Sequence, residues 1–452
     1  MLSTIIRRLR WLKSLRVQYA IGLLVNVVFI LVLLNSGTAF RNLQMPEGEF
    51  SDNLWKRTDV ISYWGIARNF TEYGVFGSGQ TPSFNRTPGY PLFLASAMML
   101  FGENWLIWIF FIQAFLFAFM YPAISKIAQL IFRESEAVVI SSFIFFLLMG
   151  TYYTRVPVIL TDLFFTTFFT LGLVFGLLAV TRKNWWYLCL QLIFTGYAAL
   201  VRPTLIFYPL INLMVLTAAA KRGGLLQLKK VKRLIAVSSI ALLVLCQGPS
   251  IRNYANYGIF RPTDLVAINL FDTAQKVLID ADREELKSRL RTDVMMRQGL
   301  GERLKLQRGY ALLVYKQYPL STLKCLLREA VPIAGNSHLL YIGRFWGNWW
   351  QNKASSIHMD LKKSSTLLAL NITGYIIYLG VYIYFLLFLM RLLKKREFLY
   401  FLTVFIFMLS FLVPPLFSGG GSRMRLPVEG PIVIMAFYEF FRRRRCSKEA
   451  AG

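Results

Sequence analysis

Residues 18–36, QYAIGLLVNVVFILVLLNS, carry no charged side chain. An α-helix needs roughly 20 apolar residues to cross about 30 Å of hydrocarbon, so this stretch is long enough to span a bilayer. Arg7, Arg8, Arg10, Lys13 and Arg16 precede it and Ser36-Gly37-Thr38-Ala39 follows, a layout shared with secretory signals. Its apolar core is too long for a signal, and an uncleaved anchor is the better reading. Further out, apolar segments of spanning character lie near 105–131, 138–153, 159–180, 185–201, 204–220, 234–249, 367–390, 398–417 and 428–441. Apolar residues form 56% of the chain and the mean hydropathy is +0.49, which excludes an ordinary soluble enzyme of this length. A spanning segment must satisfy its own backbone hydrogen bonds. The expected fold is therefore an all-α polytopic membrane protein. It has about ten transmembrane helices, juxtamembrane helices and a helical extracytoplasmic loop region. Segment 91–101 is apolar but too short to cross, and reads as a re-entrant or juxtamembrane helix.

The basic residues set the expected orientation. Clusters stand before the first span, at Arg182-Lys183, at Lys221-Arg222, at Lys229-Lys230-Val231-Lys232-Arg233, at Arg391 with Lys394-Lys395-Arg396, and at Arg442 to Arg445. With ten spans all of them fall on one side, and one extra crossing would scatter them over both. The positive-inside rule then puts both termini in the cytoplasm. Three regions follow: a transmembrane module over 1–249 with its extracytoplasmic loop 37–104, an extracytoplasmic helical region over 250–366, and transmembrane helices with a basic tail over 367–452. The net charge of +28 belongs to this bias and to anionic headgroups of the lipid bilayer. The clusters follow no groove-reading motif, so nucleic acid is excluded as a partner. Four scattered cysteines and two histidines, His338 and His358, indicate neither a disulfide framework nor a metal centre.

Chemistry-bearing residues concentrate outside the expected cytoplasmic face. Loop 37–104 contains Trp55-Lys56-Arg57-Thr58-Asp59-Val60-Ile61-Ser62-Tyr63-Trp64 and Arg86-Thr87-Pro88-Gly89-Tyr90-Pro91. A carboxylate fixed at the mouth of a lipid-embedded protein points to proton chemistry at the membrane surface. In the second region Leu320, Leu323, Leu326 and Leu327 share a helical stripe, with Lys316, Lys324 and Arg328 around it. One reading lays that helix in the membrane interface with its bases snorkelling toward phosphates; the other is a solvated helix of a small domain.

Together with Ala67-Arg68-Asn69-Phe70, Thr161-Asp162-Leu163-Phe164-Phe165, Ala199-Leu200-Val201-Arg202-Pro203-Thr204, Ile251-Arg252-Asn253-Tyr254, Lys316-Gln317-Tyr318-Pro319 and Arg423-Met424-Arg425-Leu426-Pro427-Val428, these pieces form an ordered series over nearly the whole chain. In that series the chain resembles the GT-C glycosyltransferases, in particular bacterial relatives of protein O-mannosyltransferases and lipid A aminoarabinose transferases. Two positions depart from the family pattern: Arg86-Thr87 stands where Pro-Pro is frequent, and Asp162 where many relatives have Glu. The resemblance implies an inverting transferase that moves one sugar from a polyprenyl-phosphate donor to an extracytoplasmic glycan, lipid or protein. It further implies a bacterial inner membrane, with the site on the extracytoplasmic face.

Such a reaction needs a carboxylate to take the acceptor proton and cations to stabilise the departing lipid phosphate. Asp59, with Asp162 as a second acid, is the candidate for the first. Arg86, Arg202, Arg252, Arg423 and Arg425 are candidates for the second, and Tyr63 and Tyr90 for sugar or acceptor contact. No cofactor is indicated, although an Asp59–Asp162 pair would suit a divalent ion if the fold brought them together. Each residue has a plainer alternative. Asp59 suits a helix N-cap, Asp162 an ion pair with a nearby arginine, and Arg202-Pro203 a simple helix junction. Arg423 and Arg425, behind the glycine run 419–421, suit plain surface charge, while Tyr63 and Trp64 suit an interfacial aromatic belt. The sequons at Asn69, Asn85 and Asn371 are read as chance. Two rival classes remain: a polymerase or ligase using a pyrophosphate-linked oligosaccharide, and a lipid-linked sugar flippase or transporter. The second would place its ionisable groups at mid-membrane in paired repeats, which this chain lacks.

Overall fold

The computed structural model describes residues 9–35, 58–78, 81–82, 86–132, 136–149, 156, 161–261, 263, 265–297, 300–335, 365–416 and 426–449. Within them the chain is all-α, apart from an antiparallel pairing of Gly77–Ser78 with Thr81–Pro82. α1 (Leu15–Asn35) and α2 (Thr58–Tyr73) come first, followed by α3 (Gly89–Phe101), α4 (Trp105–Ala118), α5 (Met120–Phe132) and α6 (Glu136–Met149). Then come α7 (Thr161–Arg182), α8 (Trp185–Val201), α9 (Tyr208–Arg222) and α10 (Lys229–Cys246). A run of shorter helices follows: α11 (Gly248–Tyr257), α12 (Leu265–Asp280), α13 (Glu284–Met296), α14 (Leu300–Gln317) and α15 (Pro319–Gly335). α16 (Ser365–Lys394), α17 (Phe398–Leu416) and α18 (Leu426–Glu449) complete the fold.

Among the described residues, every segment read as a span is largely helical. By length and hydropathy, Leu15–Val32, Gly89–Phe132, Thr161–Arg182, Lys229–Ala255 and Ile372–Lys394 are sufficient to cross a membrane; Glu136–Met149, Trp185–Val201 and Phe398–Leu412 are apolar but shorter. Prolines and glycines set the joints. Pro122 in the first turn of α5 can donate no amide to Ala118, and α4 ends there. Arg202, just before Pro203, is extended (φ −140°, ψ 132°), which ends α8 before the 3-10 turn Pro203–Phe207. Segment 91–101 belongs to α3, a separate 13-residue helix packed on α2, α4 and α8.

α7 is the central helix. Of its apolar window 78% is buried, against 22% for Leu15–Val32, and it packs on α4, α5, α8, α9, α10 and α18. Gly172 and Gly176 let α8 approach closely. A Cβ at Gly172 would lie 2.1 Å from Thr195 Oγ1, and one at Gly176 2.5 Å from Gln191 Nε2; small residues four apart serve this purpose between membrane helices. A closed ring of hydrogen bonds joins the next helices. Gln191 Nε2 donates to Asn212 Oδ1 (2.6 Å), Asn212 Nδ2 to Ser238 Oγ (2.8 Å), and Ser238 Oγ to Gln191 Oε1 (2.9 Å). The outer helices present apolar stripes instead, including Leu24, Val28 and Leu31 on α1, and Ile376, Leu379, Ile383 and Leu386 on α16. In water such a surface would aggregate; lipid suits it.

α12 to α15 have their own core, in which Phe271, Val277 and Leu278 of α12 meet Leu290, Val314 and Cys325. Burial pushes the Cys325 thiol above its ordinary value, which keeps it protonated and unreactive. Leu320, Leu323 and Leu327 are exposed on α15, opposite Cys325. Arg328, which one of the two readings turns toward lipid phosphates, pairs with Asp280 at 2.9 Å. That neighbour comes from α12 and was invisible in the spacing of α15.

The ends of the bundle differ in charge. Arg10 and Lys13 bind Glu136 at 3.0 and 2.7 Å, Arg222 lies over Phe132, and Phe132 stacks on Tyr438. Arg391 (3.0 Å), Arg442 (2.6 Å) and Arg443 (2.9 Å) converge on the buried Glu439. These contacts gather the basic residues before α1, at the end of α9, at the end of α16 and on α18 at one end. On α7, Asp162 and Thr181 are 19 residues apart, roughly 28 Å along the axis and close to a hydrocarbon thickness.

Candidate functional site

Four separate pieces of chain meet at the other end. Tyr63 lies on α2, Arg86 and Thr87 precede α3, Thr161 and Asp162 open α7, and Val201 and Arg202 close α8. The junction of α3 with α8 shows how the sequence achieves this. The last carbonyls of a helix lack partners within it, and the Thr87 hydroxyl donates to Val201 O at 2.7 Å. Tyr197 OH donates to Gly89 O at 3.0 Å from the same helix. Position 89 must be glycine for this approach, because a Cβ there would lie 2.7 Å from the Leu200 carbonyl carbon and 2.8 Å from its oxygen.

Asp162 and Arg202 form the centre. Arg202 Nη2 is 2.7 Å from Asp162 Oδ1, with the side chains only 17% and 4% exposed. Arg202 Nε also donates to Thr161 Oγ1 at 3.1 Å, and its guanidinium lies 5.9 Å from the Phe165 ring centroid. A carboxylate in such apolar surroundings is costly unless paired. Tyr63 OH lies 3.4 Å from the same Thr161 hydroxyl, and the Arg86 guanidinium sits 4.9 Å above the Tyr63 ring. Arg86 Nε donates to Ser62 Oγ at 3.0 Å. Tyr63 therefore links the two guanidinium groups, one through its face and one through Thr161.

Tyr90 has a different place from the expected one. It is fully buried, edge-on to Tyr63 with ring centroids 5.5 Å apart, and it donates to Gln113 Oε1 at 3.0 Å. Gln113 Nε2 passes the chain on to Val156 O at 2.6 Å. Tyr90 is thus a buried support under Tyr63, with no face open to a sugar; its apolar ring pays least in the core while its hydroxyl finds a partner there. Reading the sequence missed Gln113 and named Thr161 only as part of a motif. Gln113 did leave a signal, as an amide inside an otherwise apolar segment, where a buried polar group requires a partner.

Arg252 lies on α11, which packs against α8 and α10. It donates from Nε and Nη2 to Asn253 Oδ1 at 3.0 and 2.6 Å, and Asn253 holds Arg261 O at 2.6 Å. The backbone of Asp59 is helical, one turn before Tyr63 in α2, but its side chain lies outside the described residues, as do Arg423, Arg425, His338 and His358. Close to Arg425 in sequence, Glu429 of α18 is buried and accepts a hydrogen bond from Tyr378 OH of α16. Among the described residues no group of three or more His, Cys, Asp or Glu side chains could hold a metal ion.

Fold and site together define a helical protein with membrane-crossing segments and a buried Asp–Arg centre at one helix end. The chain matches no protein-family model and no curated protein.

Proposed function

We propose that the protein is an integral-membrane inverting glycosyltransferase. It takes a single sugar from a polyprenyl-phosphate donor and passes it to an acceptor hydroxyl on the face away from the basic clusters. The observation that carries this reading is the convergence of Tyr63, Arg86, Thr161, Asp162 and Arg202 at one helix end. These residues come from four of the motifs that suggested the family, and the basic end lies roughly 28 Å away along α7. In this reading the chain crosses a bacterial inner membrane about ten times, with both termini in the cytoplasm.

Asp59 takes the proton from the acceptor hydroxyl as that oxygen attacks the anomeric carbon. The bond from that carbon to the phosphate oxygen breaks on the opposite face, which inverts the centre. Arg86, with Arg252, Arg423 and Arg425, stabilises the departing lipid phosphate, for which a guanidinium fork is well shaped. Arg202 is oriented by Asp162, so Asp162 acts as a positioning residue. Tyr63 lies between the cations and the acceptor.

The test is transfer from radiolabelled polyprenyl-phosphate hexose by purified, reconstituted protein. Asp59→Asn should reduce the rate by about 10²–10⁴-fold, with Arg86→Gln weakening donor binding. Undiminished transfer by folded Asp59→Asn would remove the base. Transfer only from a pyrophosphate-linked oligosaccharide would favour a polymerase or ligase.

A further inference from the structure

At the basic end of the bundle, α5, α7, α9, α16, α17 and α18 leave a cavity of about 140 Å³ between them. Its walls are apolar, with Ile127, Leu173, Leu177, Phe407 and Ile434 among them, and Arg222 is the one charged residue among the described residues of the lining. Arg222 is exposed, with its guanidinium 5.4 Å from the Phe132 ring centroid. The two threonine hydroxyls of the wall are already satisfied: Thr181 Oγ1 donates to Leu177 O (2.8 Å) and Thr403 Oγ1 to Leu399 O (2.6 Å), which leaves Tyr400 as the one other hydroxyl among the described lining residues. Water therefore has little to hold it inside, and a void of this size lined by Leu, Ile and Phe takes a ligand of about six carbons. Exposed Arg182, Lys183 and Lys221 adjoin the wall residues Thr181 and Arg222 in sequence.

An apolar interior under a cationic mouth recognises an anionic amphiphile. We propose that this cavity holds the headgroup-proximal segment of one acyl chain of an anionic phospholipid, drawn from the leaflet that meets the basic end, with its phosphate at Arg222. The site is separate from the Asp162 centre, roughly 28 Å away along α7, and does not depend on the proposed transfer reaction. The volume admits only part of a chain, so the rest of the lipid stays in the bilayer, and headgroup preference comes from Arg222.

The experiment is native mass spectrometry of the full chain released from nanodiscs of equal phosphatidylglycerol and phosphatidylcholine. Wild type should retain phosphatidylglycerol with about fivefold preference, the ratio for one basic group near the surface. Arg222→Gln should retain lipid with its preference reduced to near unity. Ala219→Leu, which fills the cavity, should retain little lipid with either headgroup. Arg222→Gln alters an exposed side chain and so serves even if Ala219→Leu folds poorly. Equal retention of both lipids by wild type, or an unchanged preference in Arg222→Gln, would overturn the proposal.

Discussion

Gly89→Ala tests the junction on which the candidate site depends. The new methyl carbon would stand 2.7 Å from the Leu200 carbonyl carbon, whereas carbon atoms normally approach to about 3.5 Å. The chain before α3 and the end of α8 must therefore part by roughly 0.8 Å. That movement stretches the Thr87–Val201 bond from 2.7 Å and the Tyr197–Gly89 bond from 3.0 Å, to about 3.5 and 3.8 Å, beyond normal hydrogen-bond reach. Overpacking costs about 1–3 kcal/mol, and each interhelical hydrogen bond in a membrane protein contributes about 0.6. The expected loss is roughly 2–4 kcal/mol. Arg86 moves with the segment, and a displacement near 1 Å can lower a rate about 100-fold. The assay is a denaturant titration of purified protein alongside the transfer measurement. Gly65→Ala is the control, since its Cβ meets nothing within 4 Å and should stabilise α2 by about 0.5–1 kcal/mol. If Gly89→Ala unfolds with the wild type, or shifts as the control does, the close approach is not what holds the junction.

Asp162→Asn leaves the Arg202 guanidinium buried without its counter-charge and should cost about 3–5 kcal/mol. A double-mutant cycle with Arg202→Gln, read by the same titration, should recover about 0.5–3 kcal/mol as coupling; strict additivity would mean that the 2.7 Å pair is not energetically joined. At the basic end, Glu439→Gln removes the carboxylate shared by Arg391, Arg442 and Arg443. It should lower the thermal unfolding temperature measurably, because three cations then face one another around a neutral amide; an unchanged melt would show that they are held by something else.

Much of the bundle was legible in the linear pattern. Uncharged stretches such as 18–36 and the apolar run of α7 predict helices wherever they sit, because a lipid-embedded backbone can pair only with itself. The gathering of basic residues could likewise be anticipated, since they cluster at the ends of apolar stretches. Site chemistry was legible only as residue types. Nothing local to Tyr90 says that it turns inward to Gln113 rather than outward to a ligand. Arg328 likewise finds Asp280 only because α12 lies beside α15.

The amino-acid sequence alone therefore determined that this is a helical chain with membrane-crossing segments and a strongly asymmetric charge, because hydropathy and helix formation are properties of short stretches. Only the tertiary structure decided that Asp162 belongs to Arg202, 40 residues later, that Arg86 lies over Tyr63, and that Gly89 seats against Leu200. Those pairings depend on how each helix is rotated about its axis and on how closely glycines let neighbours approach. Both are settled by packing between distant segments, which no single stretch encodes.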